Sequence, residues 1–407
     1  MTAVGRRAGS LLALVGLGGL GLPACQTNSQ PSTCDFQEQV AEAPSPDNRA
    51  LLLLSSARLD RIGNGFLLIG RDGSIVRWAP IDERGTVGPA AAAPLPLPVT
   101  AGPWFAAAGR STPGDTVLIA YGIASSTAGM VDIQVMAAPA TGGNPVTAGT
   151  LVTVPDPSSA SGALVAMGSS RLGMRAGFAW AVPGQAQVNI QALGADGRAQ
   201  GVPLVQPAST TAPQISCLSF VNGKDDLAVG FLAQVSTADP NPSWTLVEVG
   251  DNGGLDNFLT LRLGTENPSC PLSAATTGGY VTTWQNQLGS WIGVYDSASN
   301  LLTSHLFAGA VTFGGADAQP PLAGVGAVAG GDFAVVLAAP GAAAAWRVDP
   351  MGQVGTDTVT FPSSVGQMGQ ISTVSFSGAV YATYADYTSS STVGTDGQRY
   401  FVKVTCF

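Results

Sequence analysis

The sequence predicts an all-β protein, a seven-bladed β-propeller in which every blade is a four-stranded antiparallel sheet and an N-terminal strand closes the ring. A strand followed by a Gly or Asn turn recurs about every 53 residues, which is close to the length of a propeller blade. Each unit has room for about four short strands with Gly, Pro, Asp and Asn between them. Hydrophobic residues make up 45% of the chain and charged residues only 11%, as expected when neighbouring blades cover both faces of each sheet.

Two landmarks follow the repeat along the chain. The first is the turn after an alternating strand, at Gly85, Gly142, Gly197, Gly253, Asn300 and Gly352. The second is an upstream alternating strand that begins at Gly65, Asp115, Ala176, Asp226, Gly279, Asp332 and Ala379. Because the second landmark occurs seven times, we expect seven blades. The segments QISCLSF from Gln214 and QISTVSF from Gln370 lie about three periods apart and support the same repeat.

Aromatic and acidic residues recur at fixed points of the unit. The second strands carry Tyr121, Trp180, Phe231, Trp284 and Tyr384, and the third strands carry Trp78, Trp244, Trp291 and Trp346. We expect these rings to pack between blades rather than to form stacking platforms for sugars or peptides. The turns carry Asp82, Asp196, Asp251, Asp296 and Asp349. Their spacing lacks the alternating carboxylates of a calcium loop, so we expect their side chains to bond the turn backbone.

The last unit contains three strands, near residues 370–377, 379–386 and 399–407, and the segment 33–40 can supply its fourth. Cys34 would then start the fourth strand beside Cys406 at the end of the third, so we predict a disulfide between them. Cys217 and Cys270 occupy equivalent points of consecutive units, and we predict a second disulfide joining the inner strands of blades four and five. The propeller is therefore expected to span residues 34–407.

The N-terminal segment reads as an export signal. Arg6 and Arg7 precede an uncharged stretch over residues 8–22, which is typical of a secretory signal peptide. The following Leu22-Pro23-Ala24-Cys25 resembles the lipobox of bacterial lipoproteins. That resemblance implies removal of residues 1–24, diacylation of Cys25 with palmitate-type chains, a polar tether over residues 25–33, and anchoring in the bacterial outer membrane on its periplasmic or cell-surface side.

The composition excludes several kinds of chemistry and partner. A net charge of −9, from 26 acidic and 17 basic residues, disfavours nucleic acid as a partner. The single histidine, His305, lies in a predicted outer strand, and no Gly-x-Ser-x-Gly motif is present, which argues against a Ser/His/Asp triad. The cysteines are too far apart in sequence for a typical zinc site. We expect no cofactor, no metal and no catalytic residue.

Segments such as GGYVTTWQNQLGSWIGVYDSASNLL resemble the degenerate repeat propellers of bacterial lipoproteins, and WIGVYDSASN is similar to kelch blades. The Gly-Gly pair of a kelch blade should close the second strand, whereas Gly278-Gly279 opens it here. The resemblance therefore implies a propeller architecture of the kelch or WD type, and it implies no active site.

The predicted topology also suggests where binding occurs. A tether of eight residues before the first strand would hold the face with the 3-to-4 turns toward the membrane. The opposite face bears the long 2-to-3 loops at residues 124–130, 236–243 and 386–398, and such loops commonly carry binding sites. The candidate binding residues are Asp239, Asn241, Gln285, Asn286, Asp386, Tyr387 and Asp396. We expect a non-enzymatic binding or scaffolding module for an envelope protein or a glycan. The alternative is a propeller hydrolase or lyase acting on polysaccharide or peptide, with paired carboxylates about 5 to 9 Å apart near the axis.

Overall fold

The computed structural model describes residues 34–40 and 51–406, apart from 53–56, 64, 96–104, 112, 209–213, 222–224, 235–241, 264–267, 277–278, 287, 299, 310–321, 329–330, 340–341, 354–358, 363–366, 369–370 and 388–396. The predicted signal peptide, Cys25 and the tether lie outside these residues. The strands occupy one compact unit, over residues 32–407.

The described chain is built from 29 strands, which fall into seven sheets. The first strand is β1 (Cys34–Val40). Blade 1 contains β2 (Arg58–Ile62), β3 (Gly65–Asp72), β4 (Ile75–Ile81) and β5 (Ala91–Pro94). Blade 2 contains β6 (Phe105–Arg110), β7 (Thr116–Ala124), β8 (Met130–Pro139) and β9 (Val146–Pro155). Blade 3 contains β10 (Leu164–Ser169), β11 (Ala176–Ala181), β12 (Gln187–Leu193) and β13 (Ala199–Pro207).

The remaining blades follow the same plan. Blade 4 contains β14 (Gln214–Phe220), β15 (Leu227–Gln234), β16 (Ser243–Val249) and β17 (Leu255–Arg262). Blade 5 contains β18 (Leu272–Thr276), β19 (Gly279–Asn286), β20 (Gly289–Asp296) and β21 (Leu301–Gly309). Blade 6 contains β22 (Leu322–Ala327), β23 (Phe333–Ala339), β24 (Ala342–Val348) and β25 (Val359–Pro362). Blade 7 contains β26 (Gln367–Met368), β27 (Ser372–Phe376), β28 (Ala379–Tyr387) and β29 (Gly397–Cys406).

Contacts between inner strands close the blades into a ring. The strands β2, β6, β10, β14, β18, β22 and β27 each contact the next in that order, and β27 contacts β2. Every blade is antiparallel, and in blades 1 to 6 the strands are hydrogen-bonded in sequence order from the axis outward. In blade 7, β26 and β27 both pair with β28, which pairs with β29. The predicted all-β fold with seven four-stranded blades is confirmed, and the described residues contain almost no helix. That part of the chain contains no helix with the length and hydropathy needed to cross a bilayer.

The fourth position of blade 7 is occupied by β1. It pairs with β29 in antiparallel register, with Cys34 opposite Cys406 and Val40 opposite Tyr400. Blade 7 is therefore assembled from the two ends of the propeller sequence. The backbone register sets the two cysteines opposite each other, as the repeat arithmetic predicts, and their disulfide stays a prediction.

The 3-to-4 turns form as their sequences require. Gly85, Gly197 and Gly352 have φ near +80°, a conformation that costs other residues a steric clash. In the turn after β4, Asp82 Oδ1 accepts hydrogen bonds from the N–H groups of Arg84 and Thr86, at 2.9 and 2.8 Å. The carboxylates of Asp196, Asp296 and Asp349 accept backbone N–H bonds in the same way. These four side chains are turn residues, as predicted.

The prediction for Asp251 is wrong. Its carboxylate forms an ion pair with Arg175, which precedes the second strand of the neighbouring blade 3. Asn252 takes over the turn, because its Oδ1 accepts the N–H of Gly254 at 2.8 Å. The Asp251 carboxylate therefore pairs with Arg175 of the adjacent blade and does not bond its own turn.

The core lies between adjacent blades rather than at the axis. Trp78 and Tyr121 share one buried cluster between blades 1 and 2, while Trp244 and Trp284 share another between blades 4 and 5. The second-strand rings Tyr121, Trp180, Phe231, Trp284 and Tyr384 are all at least 94% buried. The predicted packing role of these rings is confirmed, and none of them is available as a stacking platform.

Candidate binding site in the central channel

The inner strands surround a pocket of about 550 Å³ on the axis of the ring. Blades 1, 2, 3, 4, 5 and 7 contribute described lining residues, most of them from the first strand of the blade. The lining also includes Ser269 and Cys270, in the connection into blade 5, and Gln285 near the end of its second strand. These three residues belong to the face that carries the 2-to-3 loops. This volume falls within the range of small-ligand pockets, about 300 to 1,000 Å³.

A charged pair from the first strand of blade 1 lies in this pocket. Arg58 Nη2 lies 3.2 Å from Asp60 Oδ2 and donates a second hydrogen bond to the carbonyl oxygen of Met167, also at 3.2 Å. Residues two apart on a strand share a face. Both side chains therefore face the channel, where Arg58 is 32% exposed and Asp60 13% exposed.

The Asp60 carboxylate already has a full set of hydrogen-bond donors. Oδ1 accepts the N–H of Arg61 and the hydroxyl of Ser169, both at 2.8 Å. Oδ2 accepts from Arg58 and from the N–H of Gly109, the latter at 3.0 Å. A carboxylate offers about four lone-pair sites, so Asp60 has little remaining capacity to accept a ligand's proton or hydroxyl. Its role is to tie blades 1, 2 and 3 together and to fix the Arg58 guanidinium.

The Arg58 guanidinium is only partly engaged. Both of its hydrogen bonds to described residues come from Nη2. The Nε atom is buried and has no hydrogen-bond partner in the described structure. The Nη1 atom makes no hydrogen bond to a described residue and, unlike Nε, is not buried. The guanidinium therefore presents a donor to the channel.

Apolar side chains form much of the remaining wall. Leu218 and Phe220 are half-buried against the pocket, whereas Leu59, Met167 and Ile371 pack into the buried clusters between blades. Phe220 reaches its position because residue 168 is glycine: a Cβ there would lie 2.4 Å from the Phe220 Cγ atom. The channel thus combines one fixed ion pair with a wall that is partly apolar.

The hydroxyl groups of the lining are already engaged within the protein. Ser219 donates to the carbonyl oxygen of Phe220 at 3.3 Å, and Thr373 donates to that of Val325 at 3.0 Å. Ser372 both accepts the N–H of Leu59 at 2.9 Å and donates to its carbonyl oxygen at 3.3 Å. The bonds of Ser372 and Thr373 join neighbouring inner strands, and the bond of Ser219 stays within β14, so these hydroxyls act as structural groups.

The predicted disulfide between Cys217 and Cys270 is present. It connects β14 of blade 4 to the segment that leads into β18 of blade 5, and Cys270 also lines the channel. The bridge therefore fixes the spacing of two blades at the wall of the candidate site.

The predicted binding residues of the loop-bearing face lie in different places. Gln285 lines the channel. Asn286 supports the turn after β19, since its Oδ1 accepts from the N–H of Leu288 and from Trp291 Nε1, both at 2.9 Å. Asp386 and Tyr387 end β28, with their side chains outside the description. Asp239, Asn241 and Asp396 lie outside the described residues. His305 lies in the outer strand β21, as predicted.

Sequence reasoning missed Arg58 and Asp60. An available signal was the Arg-x-Asp spacing at the start of a first strand, because alternate residues of a strand share one face. The position of the acid among its donors depends on Gly109 and Ser169, which are 49 and 109 residues away in sequence.

A second charged cluster lies where blades 1, 2 and 7 meet, with Arg61 and Tyr381 buried and Glu83 and Asp115 exposed. The Arg61 guanidinium stacks on Phe376, with Cζ 3.3 Å from the ring centroid, and burial lowers its pKa to about 10. Burial raises the pKa of Asp115 above its usual value, and the charge of Arg61 partly opposes this. Burial, followed by the nearby Glu83, raises the pKa of Tyr381 to about 12. These groups face one another within the blade junction and contribute no lining residue to the channel.

The described residues contain no cluster of three or more His, Cys, Asp or Glu side chains suited to a metal ion. Asp60 is the one carboxylate among the described residues that line the pocket. The channel as described therefore lacks the pair of carboxylates that the hydrolase alternative requires.

No family model and no curated protein matches this chain. Among solved structures, the chain is similar to a prolyl endopeptidase, with 13% identity over 82% of this chain and 46% of that chain and a TM-score of 0.42. It is also similar to a puromycin hydrolase, with 14% identity, coverages of 88% and 56%, and a TM-score of 0.46. A protein from Lactobacillus plantarum gives 11% identity, coverages of 84% and 96%, and a TM-score of 0.47. The chain spans about half the length of the endopeptidase and hydrolase chains. At these identities the likeness concerns the fold alone.

Proposed function

We propose that this chain is a lipid-anchored envelope protein whose propeller binds a protein or glycan partner without catalysing a reaction on it. The observation that carries the proposal is the state of Asp60. The one carboxylate of the described channel lining is held by four hydrogen-bond donors, one of which is the cation Arg58. General acid or base catalysis needs a group that can exchange a proton with the substrate. Asp60 is built instead to hold Arg58 in place.

The anchor and the channel fit a common orientation. The lipobox-like sequence that ends at Cys25 supports lipidation at that residue. The strand β1 begins at Cys34, opposite Cys406 at the end of a third strand, so the chain joins the propeller on the face of the 3-to-4 turns. Eight residues, 26–33, span at most about 27 Å. We therefore place that face toward the membrane, with the loop-bearing face directed at the partner.

The proposal is tested by affinity capture from the native envelope with the full-length protein. In the test variant, residues 388–396 are replaced by a Gly/Ser segment of equal length. Val202→Ser, at an 82% exposed position of the outer strand β13, is the matched control. We expect wild type and control to retain one partner and the loop variant to lose it. Equal retention by all three proteins, or conversion of polysaccharide or peptide to products by the purified protein, would overturn the proposal.

The anchor has a separate test. Cys25→Ala removes the thiol that would carry the lipid, so we expect this variant to leave the membrane fraction. Continued pelleting of Cys25→Ala with membranes would contradict lipidation at this residue. The released variant should still capture the partner, because Cys25 precedes the predicted propeller, residues 34–407, and belongs to none of its strands.

A further inference from the structure

We propose that the central channel receives the free C-terminal end of a peptide tail, with the terminal carboxylate on Arg58 and an apolar last side chain against the channel wall. This inference rests on the proposed binding function and names the chemical class of the partner. Three features of the channel carry it: a fixed cation, hydroxyls that are already paired, and a closed ring.

The charged donor that the described channel offers to a ligand belongs to Arg58, which forms an ion pair with Asp60. Asp60 is saturated by its four donors, so it positions Arg58 and offers little to a ligand. Arg58 keeps Nη1 free of hydrogen bonds to described residues, with the side chain 32% exposed. A charge-assisted hydrogen bond to a carboxylate is among the stronger contacts that such a group can make. The Arg58 Nη1 atom is therefore the point at which the channel can bind an anionic group.

The neighbouring surface favours an apolar group beside that anion. Val165, Leu218 and Phe220, all half-buried, line the pocket. The hydroxyls of Ser169, Ser219 and Ser372 have already donated their protons to protein acceptors. A sugar ring buried here would bring several hydroxyls that each need a partner, and every buried hydroxyl left unpaired costs free energy. A peptide end with an apolar last residue requires fewer additional partners, and this favours a peptide over a glycan.

The ring geometry favours a chain end over an internal segment. The contacts of β27 with β2 and the pairing of β1 with β29 close the propeller, so the channel has no lateral opening between the first and last blades. An internal segment would have to fold back on itself or thread through the channel. A terminus can instead be inserted from one face, and only the C-terminal end of a peptide supplies a carboxylate there.

Equilibrium dialysis tests the inference with the full-length protein in detergent. The probes are a pool of N-acetylated pentapeptides with free C-terminal carboxylates and the same pool as C-terminal amides, both read by mass spectrometry. We expect at least tenfold greater retention of the free acids, with aliphatic or aromatic last residues enriched. Equal retention of acids and amides would overturn the inference, and so would preferential retention of galacturonate oligosaccharides supplied as a carboxylate-bearing glycan.

Variants locate the binding event. Arg58→Gln should lower the retention of free acids by roughly tenfold, because it removes a hydrogen bond to a charged group. Arg58→Lys should keep an intermediate level, and Arg198→Gln, on an exposed 3-to-4 turn, should match wild type. Acid selectivity that survives in folded Arg58→Gln would overturn the assignment. If Arg58→Gln unfolds, the acid-to-amide comparison on wild type and the Arg58→Lys result still decide the matter.

The binding function and the C-terminal inference are refuted by different results. Loop-dependent capture of an envelope partner, combined with no preference for peptide acids, would refute the C-terminal inference and leave the binding function intact. Absence of any captured partner would refute the binding function itself.

Discussion

Removal of the disulfide between Cys217 and Cys270 should measurably destabilise the propeller. The bridge joins residues 53 apart in sequence and holds blade 4 to blade 5 at the channel wall. Cys217 is half-buried against the core between these blades, whereas Cys270 is exposed. The double variant Cys217→Ala/Cys270→Ala therefore loses the crosslink with little loss of packing.

The expected size of the effect follows from loop closure. Cross-linking a loop of this length restricts the unfolded chain by about 4 kcal/mol in the chain-entropy model. Unfolding of a domain of this size carries an entropy of about 0.75 kcal/mol/K, by the usual value per residue. The double variant should therefore unfold about 5 °C below wild type.

Differential scanning calorimetry without reductant, at several scan rates, measures this difference. A midpoint within about 1 °C of wild type would refute the reasoning, because the crosslink would then add no constraint to the unfolded chain. Adding reductant to the double variant gives a second measurement. A further fall there would report the predicted bridge between Cys34 and Cys406, whose much longer loop should contribute about 6 kcal/mol.

Two further substitutions test the packing and the charges between blades. A Cβ on Gly230 would lie 2.0 Å from the Trp244 indole, whose N–H donates to Ser273 in the next blade. Gly230→Ala should therefore lower the free energy of unfolding, measured by thermal denaturation, by about 3 kcal/mol. Gly114→Ala, where a Cβ would meet nothing within 4 Å, should have little effect, and equal effects would contradict the packing. The raised pKa of Asp115 means that the folded state takes up its proton at a higher pH than the unfolded state. The stability of wild type relative to Asp115→Asn should therefore rise as the pH falls from 7 to 4. A fall in this relative stability would show that the pKa of Asp115 is not raised in the folded state.

Much of the architecture could be predicted because the repeat is a local signal that recurs. Gly85 and Asp82 lie in one turn, and their roles follow from backbone sterics and side-chain reach alone. The alternation of each strand gives its two buried faces, and hence the positions of rings such as Trp78 and Tyr384. The register of β1 on β29 followed from counting periods to the ends of the repeat.

The channel could not be predicted in this way, because its chemistry depends on contacts between distant units. The role of Asp60 is set by donors from three blades. Arg399 illustrates the same point, since its guanidinium is 99% buried and donates to the carbonyl oxygens of Leu52 and Ala57, more than 340 residues earlier. The buried tryptophans recur at one point of the repeat and can be found from the sequence, whereas Arg399 has no counterpart at the same point of the other units.

The central claim is that a partner enters the channel, and one capture experiment tests it most directly. Ser219→Trp places an indole in the channel, and Val202→Trp places the same side chain on the exposed outer strand β13. With both variants folded, affinity capture from the native envelope should recover the partner with wild type and Val202→Trp but not with Ser219→Trp. Recovery of the same partner at equal yield with Ser219→Trp would contradict binding through the channel.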